Sequence, residues 1–171
     1  MTTIQSSEFF KQLQAALSGN GAFLVVEDGK GSANPMTIGW AMQGFVWQKH
    51  VLQVLVRPSR FTHDLLERTD MFSVCVPGHD MKKALAVCGT KSGRDTDKAR
   101  ECALAIVPGE NPGIRIIRDC EFICECRTVA KMQMAPGKLF DGGNISGKFY
   151  PAGDFHTVYY GEILAIYRNG Q

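Results

Sequence analysis

Residues 36–62 constrain the fold more than any other part of the chain. The run 36–46 carries Thr37, Ile38, Trp40, Phe45 and Val46, types that fit a pleated surface. The run 51–56 (Val-Leu-Gln-Val-Leu-Val) is almost wholly apolar, the pattern of a strand buried on both faces. Its character then changes abruptly: Arg57-Pro58-Ser59-Arg60 sets two guanidiniums, a hydroxyl and a fixed proline turn where the strand ends. Thr62 is placed to cap a helix predicted over 62–68, and Phe61 and Leu66 have the spacing of a hydrophobic staple. A strand end of this kind feeding a helix start offers an anion several donors and a favourable dipole. Two readings stand side by side: a phosphate seat, or a solvated strand end with a helix cap.

Around this centre the pattern predicts a mainly β chain. Ser6 or Ser7 is placed to cap a first helix, with Phe9, Phe10, Leu13, Ala16 and Leu17 at helical spacing and Gly19 at its end. Strands are expected over 22–27, 71–76, 104–107, 114–117, 121–130 and 156–167, and further helices over 80–88 and 96–103. Residues 135–154 are rich in Gly and Pro and read as one long loop. About seven strands with short helices and frequent turns suggest a β-barrel with helical decoration. At 171 residues, with no internal repeat or linker, the chain suits one domain spanning 1–171.

Charge and composition exclude several classes. A net charge of +2 without a Lys/Arg run argues against a nucleic-acid partner. No apolar run reaches the roughly 18 residues of a membrane span. The first residues lack a charged segment followed by an apolar one, so the expected compartment is the cytoplasm. The six cysteines include no C-x-x-C. Cys120, Cys124 and Cys126 alternate and would share one strand face. Their spacing matches no common zinc pattern, so no metal is expected and the thiols read as small core hydrophobes. Gly142-Gly143-Asn144-Ile145-Ser146-Gly147-Lys148 copies the spacing of a phosphate-binding P-loop. Phe149 stands where the magnesium-ligating hydroxyl belongs, and no strand leads into it. Asn144-Ile145-Ser146 is a glycosylation sequon with nothing else pointing to secretion.

A second polar cluster, Ser92-Gly93-Arg94-Asp95-Thr96-Asp97-Lys98, reads alone as a capped turn, with Asp95 or Thr96 capping the next helix. Paired with residues 57–60, it gives two loops that each offer Arg, Ser and a helix start. Such a double clamp suits a phosphate monoester.

Four segments in order then show a resemblance: Asn34-Pro35-Met36-Thr37-Ile38-Gly39-Trp40, residues 56–62, residues 88–98, and His156-Thr157-Val158-Tyr159-Tyr160-Gly161-Glu162-Ile163. Together they resemble the successive signatures of the flavin reductase-like family, with the flavoredoxin branch nearest, across roughly residues 20–168. The resemblance implies an FMN-binding split barrel, a six-stranded antiparallel Greek-key barrel, usually a homodimer with FMN at the subunit interface. By motif, Met36, Thr37, Ile38, Gly39 and Trp40 would lie along the isoalloxazine and ribityl chain. Arg57, Ser59, Arg60 and Thr62 would meet the ribityl and phosphate, and Ser92, Gly93, Arg94 and Lys98 would close the phosphate side. His156 would sit near the reactive ring; without the resemblance it reads as structural or solvated.

The implied function is an FMN-dependent oxidoreductase. NADH or NADPH would supply the hydride, and electrons would pass to a small molecule, free flavin or protein. A non-catalytic FMN-binding electron carrier is the alternative. A pyridoxine-phosphate oxidase-like barrel is a third reading, against which the 88–98 motif argues. No G-x-G-x-x-G fingerprint marks a separate nicotinamide-binding unit.

Overall fold

The computed structural model describes residues 1–29, 31–140 and 144–170. Its organising element is an antiparallel sheet that follows the order β3-β2-β6-β9-β10-β5-β4. In chain order these strands are β2 (Ala22–Glu27), β3 (Ala33–Ile38), β4 (Ala41–Val46), β5 (Lys49–Val56), β6 (Met71–Val76), β9 (Phe122–Gln133) and β10 (Thr157–Arg168). A two-residue strand, β1 (Thr2–Thr3), adds to β10. β7 (Ile106–Pro108) and β8 (Arg115–Ile117) form a separate hairpin. The helices are α1 (Ser6–Leu17), α2 (Phe61–Leu66), α3 (Lys82–Thr90), α4 (Lys98–Glu101) and α5 (Asn144–Phe149). No described helix is long and apolar enough to cross a membrane.

The six strands from β3 round to β5 enclose one core. At the two ends of the path β3 and β5 touch without pairing, so the barrel is split there. The expected single strand 36–46 is broken at Gly39-Trp40, where the chain crosses from one end of the path to the other. Pro35 sits in β3, an edge strand, where a missing N–H can be tolerated.

Strand alternation explains why β2 is apolar throughout. Leu24 and Val26 face the barrel core with Val54, Phe72, Val74 and Tyr159, and α1 plugs one end through Phe9 and Leu13. Phe23 and Val25 face a second core with Leu85 and Cys88 of α3, Ile116 and Ile117 of β8, and Tyr167. β5 departs from expectation. Leu52, Val54 and Val56 are buried in the barrel, whereas Gln53 and Leu55 on the other face are half-exposed. Cys124 and Cys126 point into the barrel core; Cys120 precedes β9 and belongs to the second core, so the three do not share one face.

The β9–β10 register shifts between Tyr160 and Gly161 and again between Ile163 and Ala165, which bends this long ribbon around the barrel. Gly161 is required there: a Cβ would lie 2.4 Å from Phe72 Cζ and 2.8 Å from Cys126 Cβ. Several expected caps are replaced. Gln5 and Arg60 occupy the N-cap positions of α1 and α2 with no side-chain bond, and Thr62 lies inside α2. The helix predicted over 96–103 shortens to α4, where Asp97 accepts from the Arg100 N–H. The expected loop 135–154 contains a 3-10 turn, Pro136–Lys138, and α5. Gly142 and Gly143 of the P-loop-like spacing lie outside the described residues.

Candidate functional site

Two adjoining clefts open where the barrel is split, and Arg60 borders both. The first has a volume of about 210 Å³ and is lined by Met36, Thr37, Ile38, Gly39, Trp40, Leu55, Arg57, Arg60 and His156. The second, about 320 Å³, is lined by Ser59, Arg60, Phe61, Thr62, Ser92, Arg94, Asp95, Lys98 and neighbours from the end of α3. Thirteen of the fourteen residues singled out in the sequence therefore line these two clefts. Gly93 borders a neighbouring depression. Packing explains its lack of a side chain, since a Cβ would lie 2.1 Å from Asn34 Oδ1 and 2.8 Å from Phe61 Cδ1.

The first cleft is built mainly from backbone. Met36 and Ile38 turn their side chains into the barrel core, and the Thr37 hydroxyl donates to the Leu85 carbonyl at 2.6 Å, docking α3 on β3. What β3 offers is the main-chain edge not paired with β2. Opposite stands an aromatic group. Trp40 packs 4.9 Å from the His156 ring and edge-on to Phe149 at 5.1 Å. His156 Nδ1 lies 2.7 Å from the Tyr150 hydroxyl. Burial, reinforced by the Arg57 guanidinium and opposed by Asp154, pushes the His156 pKa down to about 4, so the ring is neutral at pH 7.

Arg57 serves this wall rather than the second cleft. Its guanidinium donates to the Asp154 carbonyl at 3.0 Å and the Phe149 carbonyl at 2.7 Å, and lies 4.9 Å from the Tyr150 ring centre. Ser59 donates through both its N–H and its hydroxyl to the Asp154 carboxylate. These contacts fasten the segment after α5 to the end of β5.

The second cleft is cationic. Lys98, the first residue of α4, is only 3% exposed, yet forms no ion pair among the described residues. Burial pushes its pKa down to about 8; Cys88 opposes the shift and the nearby Arg60 charge adds to it. Arg60 is half-buried and donates to the Cys88 carbonyl at 3.2 Å. Burial lowers its pKa too, with Asp154 pulling the other way. Arg94 is exposed, bonded to Asp64 at 2.7 Å and to the Ser59 carbonyl at 3.0 Å. Thr62 is buried and accepts from Asn34 Nδ2 at 2.8 Å. With α2 only six residues long, side chains rather than a helix dipole set the charge here.

Cations kept close together out of water without a direct ion pair are costly unless a ligand anion completes them. A phosphate monoester in the second cleft, joined to a flat ring along the β3 edge in the first, fits this donor set. A larger cavity, about 670 Å³ between α3 and α4, lies elsewhere. Its charged rim of Asp80, Lys82, Lys83 and Glu101 is exposed and mixed in sign, so volume does not mark the site. Sequence reasoning missed Tyr150, Phe149 and Asp154. The Gly-rich run before them hides α5, and only Gly153-Asp154, both with positive φ, marks the sharp return into β10.

Known proteins agree with this architecture. A relative from Archaeoglobus fulgidus, described only as an uncharacterized protein, is 29% identical over 120 residues, covering 70% of this chain and 67% of its own. A flavoredoxin structure from Methanosarcina acetivorans superposes with a TM-score of 0.66 at 27% identity, over 85% of this chain. The chain spans 66% of that flavoredoxin, just under two thirds. The NADH:FAD oxidoreductase of Streptomyces globisporus, solved with NAD and FAD fragments, shares the fold at 18% identity and a TM-score of 0.62, over 86% of this chain and 73% of its own. The family model for the flavin reductase like domain matches residues 17–171, and the chain belongs to that family.

Proposed function

We propose that this chain is an FMN-dependent oxidoreductase that takes hydride from NADH or NADPH and passes electrons to a small molecule, free flavin or protein partner. The observation that carries the reading is the pair of cations Arg60 and Lys98, drawn out of water without an ion-pair partner among the described residues beside a cleft with an open main-chain edge. A terminal phosphate monoester matches those charges better than the diester phosphates of FAD, so FMN is the cofactor. Bound FMN would supply reversible hydride acceptance at its ring. Lys98 and Arg60 hold the phosphate, the β3 backbone orients the ring, and Trp40, Phe149 and neutral His156 wall the reacting side from water. The flavoredoxin and oxidoreductase likenesses support this reading.

Anaerobic stopped-flow reduction of the FMN-loaded protein by NADH and NADPH tests it. Flavin bleaching within a turnover-like time supports the enzyme. Bound FMN that neither nucleotide reduces would leave the non-catalytic electron carrier.

The working form we propose is a homodimer in the cytoplasm, with two flavins at its interface. Paired positions project from the same sheet face, so Met42, Gln53, Tyr160 and Ala130 form one row across β4, β5, β10 and β9. Met42, Trp47 and Met132 on and beside this row are 53%, 54% and 54% exposed. The face is continuous along β5 with Leu55 in the first cleft, so a second copy there would also cover the ring side. All six cysteines are unpaired, as suits a reducing compartment. Light scattering should give twice the 18.8 kDa monomer mass, and a monomer at micromolar concentration would overturn the dimer.

A further inference from the structure

Tyr150 is held more tightly than a residue that merely ends α5 needs to be. It is 5% exposed, stacks on Phe155 at 4.5 Å, and lies under the Arg57 guanidinium. Its hydroxyl has two neighbours: His156 Nδ1 at 2.7 Å and the Met134 sulfur at 3.7 Å. A single phenolic proton must choose between them. The imidazole nitrogen is a strong acceptor and a thioether a weak one, while the phenol is the better donor of the O···N pair. Burial raises the Tyr150 pKa, keeping that proton in place. The phenol therefore donates to Nδ1, and a neutral imidazole must then carry its own proton on Nε2. Nε2 has no protein partner among the described residues. Because Nδ1 turns toward Tyr150, which does not line the first cleft, Nε2 is left on the cleft side of a ring that does.

We infer that Tyr150 is a positioning residue that locks His156 in the Nε2–H tautomer, giving the first cleft a fixed, uncharged hydrogen-bond donor for a carbonyl-type oxygen of its occupant. The functional part of this inference rests on the first cleft being the ring side of the site. Trp40, tilted 50° against the imidazole at 4.9 Å, and the Tyr150 hydrogen bond on Nδ1 together hold the ring, so the donor is preorganised. A neutral donor can meet a carbonyl oxygen without adding charge to the first cleft, which leaves the anion to the cations of the second.

The test is two-bond ¹H–¹⁵N correlation spectroscopy of the full-length protein labelled at histidine, at pH 7, without cofactor. His156 should show a protonated Nε2 and a bare Nδ1, and Tyr150→Phe, which keeps the stack on Phe155, should show mixed tautomers. A protonated Nδ1 in the parent protein, or an unchanged tautomer in Tyr150→Phe, would overturn the lock. On FMN-loaded protein, Tyr150→Phe should slow reduction by a nicotinamide donor by about tenfold, the scale of one hydrogen bond, with FMN affinity changed less than about twofold. His156→Gln, whose amide nitrogen reaches the Nε2 position, should retain more of the rate than His156→Ala; equal loss would overturn the donor role. Should FMN fail to bind at all, the proposed function falls, while the tautomer measured on the protein alone still decides the role of Tyr150.

Discussion

The two clefts at the split of the barrel solve opposite electrostatic problems. In the second, Arg60 and Lys98 are drawn out of water with no direct ion pair among the described residues, and burial lowers both pKa values. In the first, His156 is discharged, Arg57 is bonded to two carbonyls of the covering segment, and Arg60 is shared with the second cleft. A charged cleft binds strongly and indiscriminately unless its partner is a compact anion. A cleft built from a main-chain edge, an aromatic wall and a neutral histidine binds weakly but orients. Side by side they suit a ligand with an ionic tail and a planar head, and the difference teaches that affinity and chemistry sit in separate places.

The largest effects should come from emptying the charged cleft. Arg60→Ala and Lys98→Met should each weaken FMN binding by roughly thirtyfold or more, since hydrogen bonds between charged groups are worth about 2 kcal/mol or more. Arg94→Ala should weaken it less, because that guanidinium already has Asp64 as partner. Arg100→Ala should leave it unchanged. Calorimetric titration of the four variants checks the order, and normal binding by both Arg60→Ala and Lys98→Met would erase the contrast between the clefts.

Next in size is a pH effect carried by Lys98. Its pKa in the folded protein, about 8, lies below the ordinary value of 10.5. The ammonium that meets the phosphate is therefore lost as pH rises through 8. FMN affinity should be flat near pH 7, where a phosphate monoester with a second pKa of about 6 is already a dianion, and should fall above pH 8. The contribution of Lys98 to the stability of the protein without ligand should run oppositely. The unfolded chain keeps its proton longer, so that contribution rises from pH 8 toward 10.5, against the buried cysteines, whose raised pKa values remove stability as the unfolded thiols ionise. Lys98→Met should abolish the fall in affinity and should make melting temperature fall more steeply with pH than in the parent, as read from titrations and thermal melts across pH 7 to 10.

A kinetic effect confined to the neutral cleft should follow. His156→Ala should leave FMN bound within about threefold, because the residue lies outside the cationic cleft, while slowing reduction or reoxidation of the flavin by about tenfold. Unchanged rates in both half-reactions would return His156 to a structural role.

How much of this was legible in the sequence differs between the clefts for a physical reason. The charged cleft is assembled from two short local motifs, residues 57–60 and 92–98, whose Arg, Ser, Gly and Pro advertise themselves in one dimension. The β2 and β6 strands were equally readable, since largely apolar runs buried on both sides leave little choice of structure. The neutral cleft depends on long-range events. Trp40 meets His156 only because the chain crosses the barrel split, and Tyr150 reaches His156 only through α5, in a stretch whose glycines and prolines suggest no helix. Thr62 looked like a cap because its neighbours fit a staple, but its burial against Asn34 decided otherwise. Arg57 and Arg60 are near twins in sequence. Only the fold sends one to the covering segment and the other between the clefts.

The central claim is that the two cations of the second cleft without a direct ion pair, Arg60 and Lys98, are there for a terminal phosphate. Calorimetric titration of the apoprotein with FMN, riboflavin and FAD at pH 7 tests it most directly. Two charge-assisted contacts predict that FMN binds about a hundredfold or more tighter than riboflavin, with FAD also well behind FMN. Equal affinity for FMN and riboflavin would contradict it.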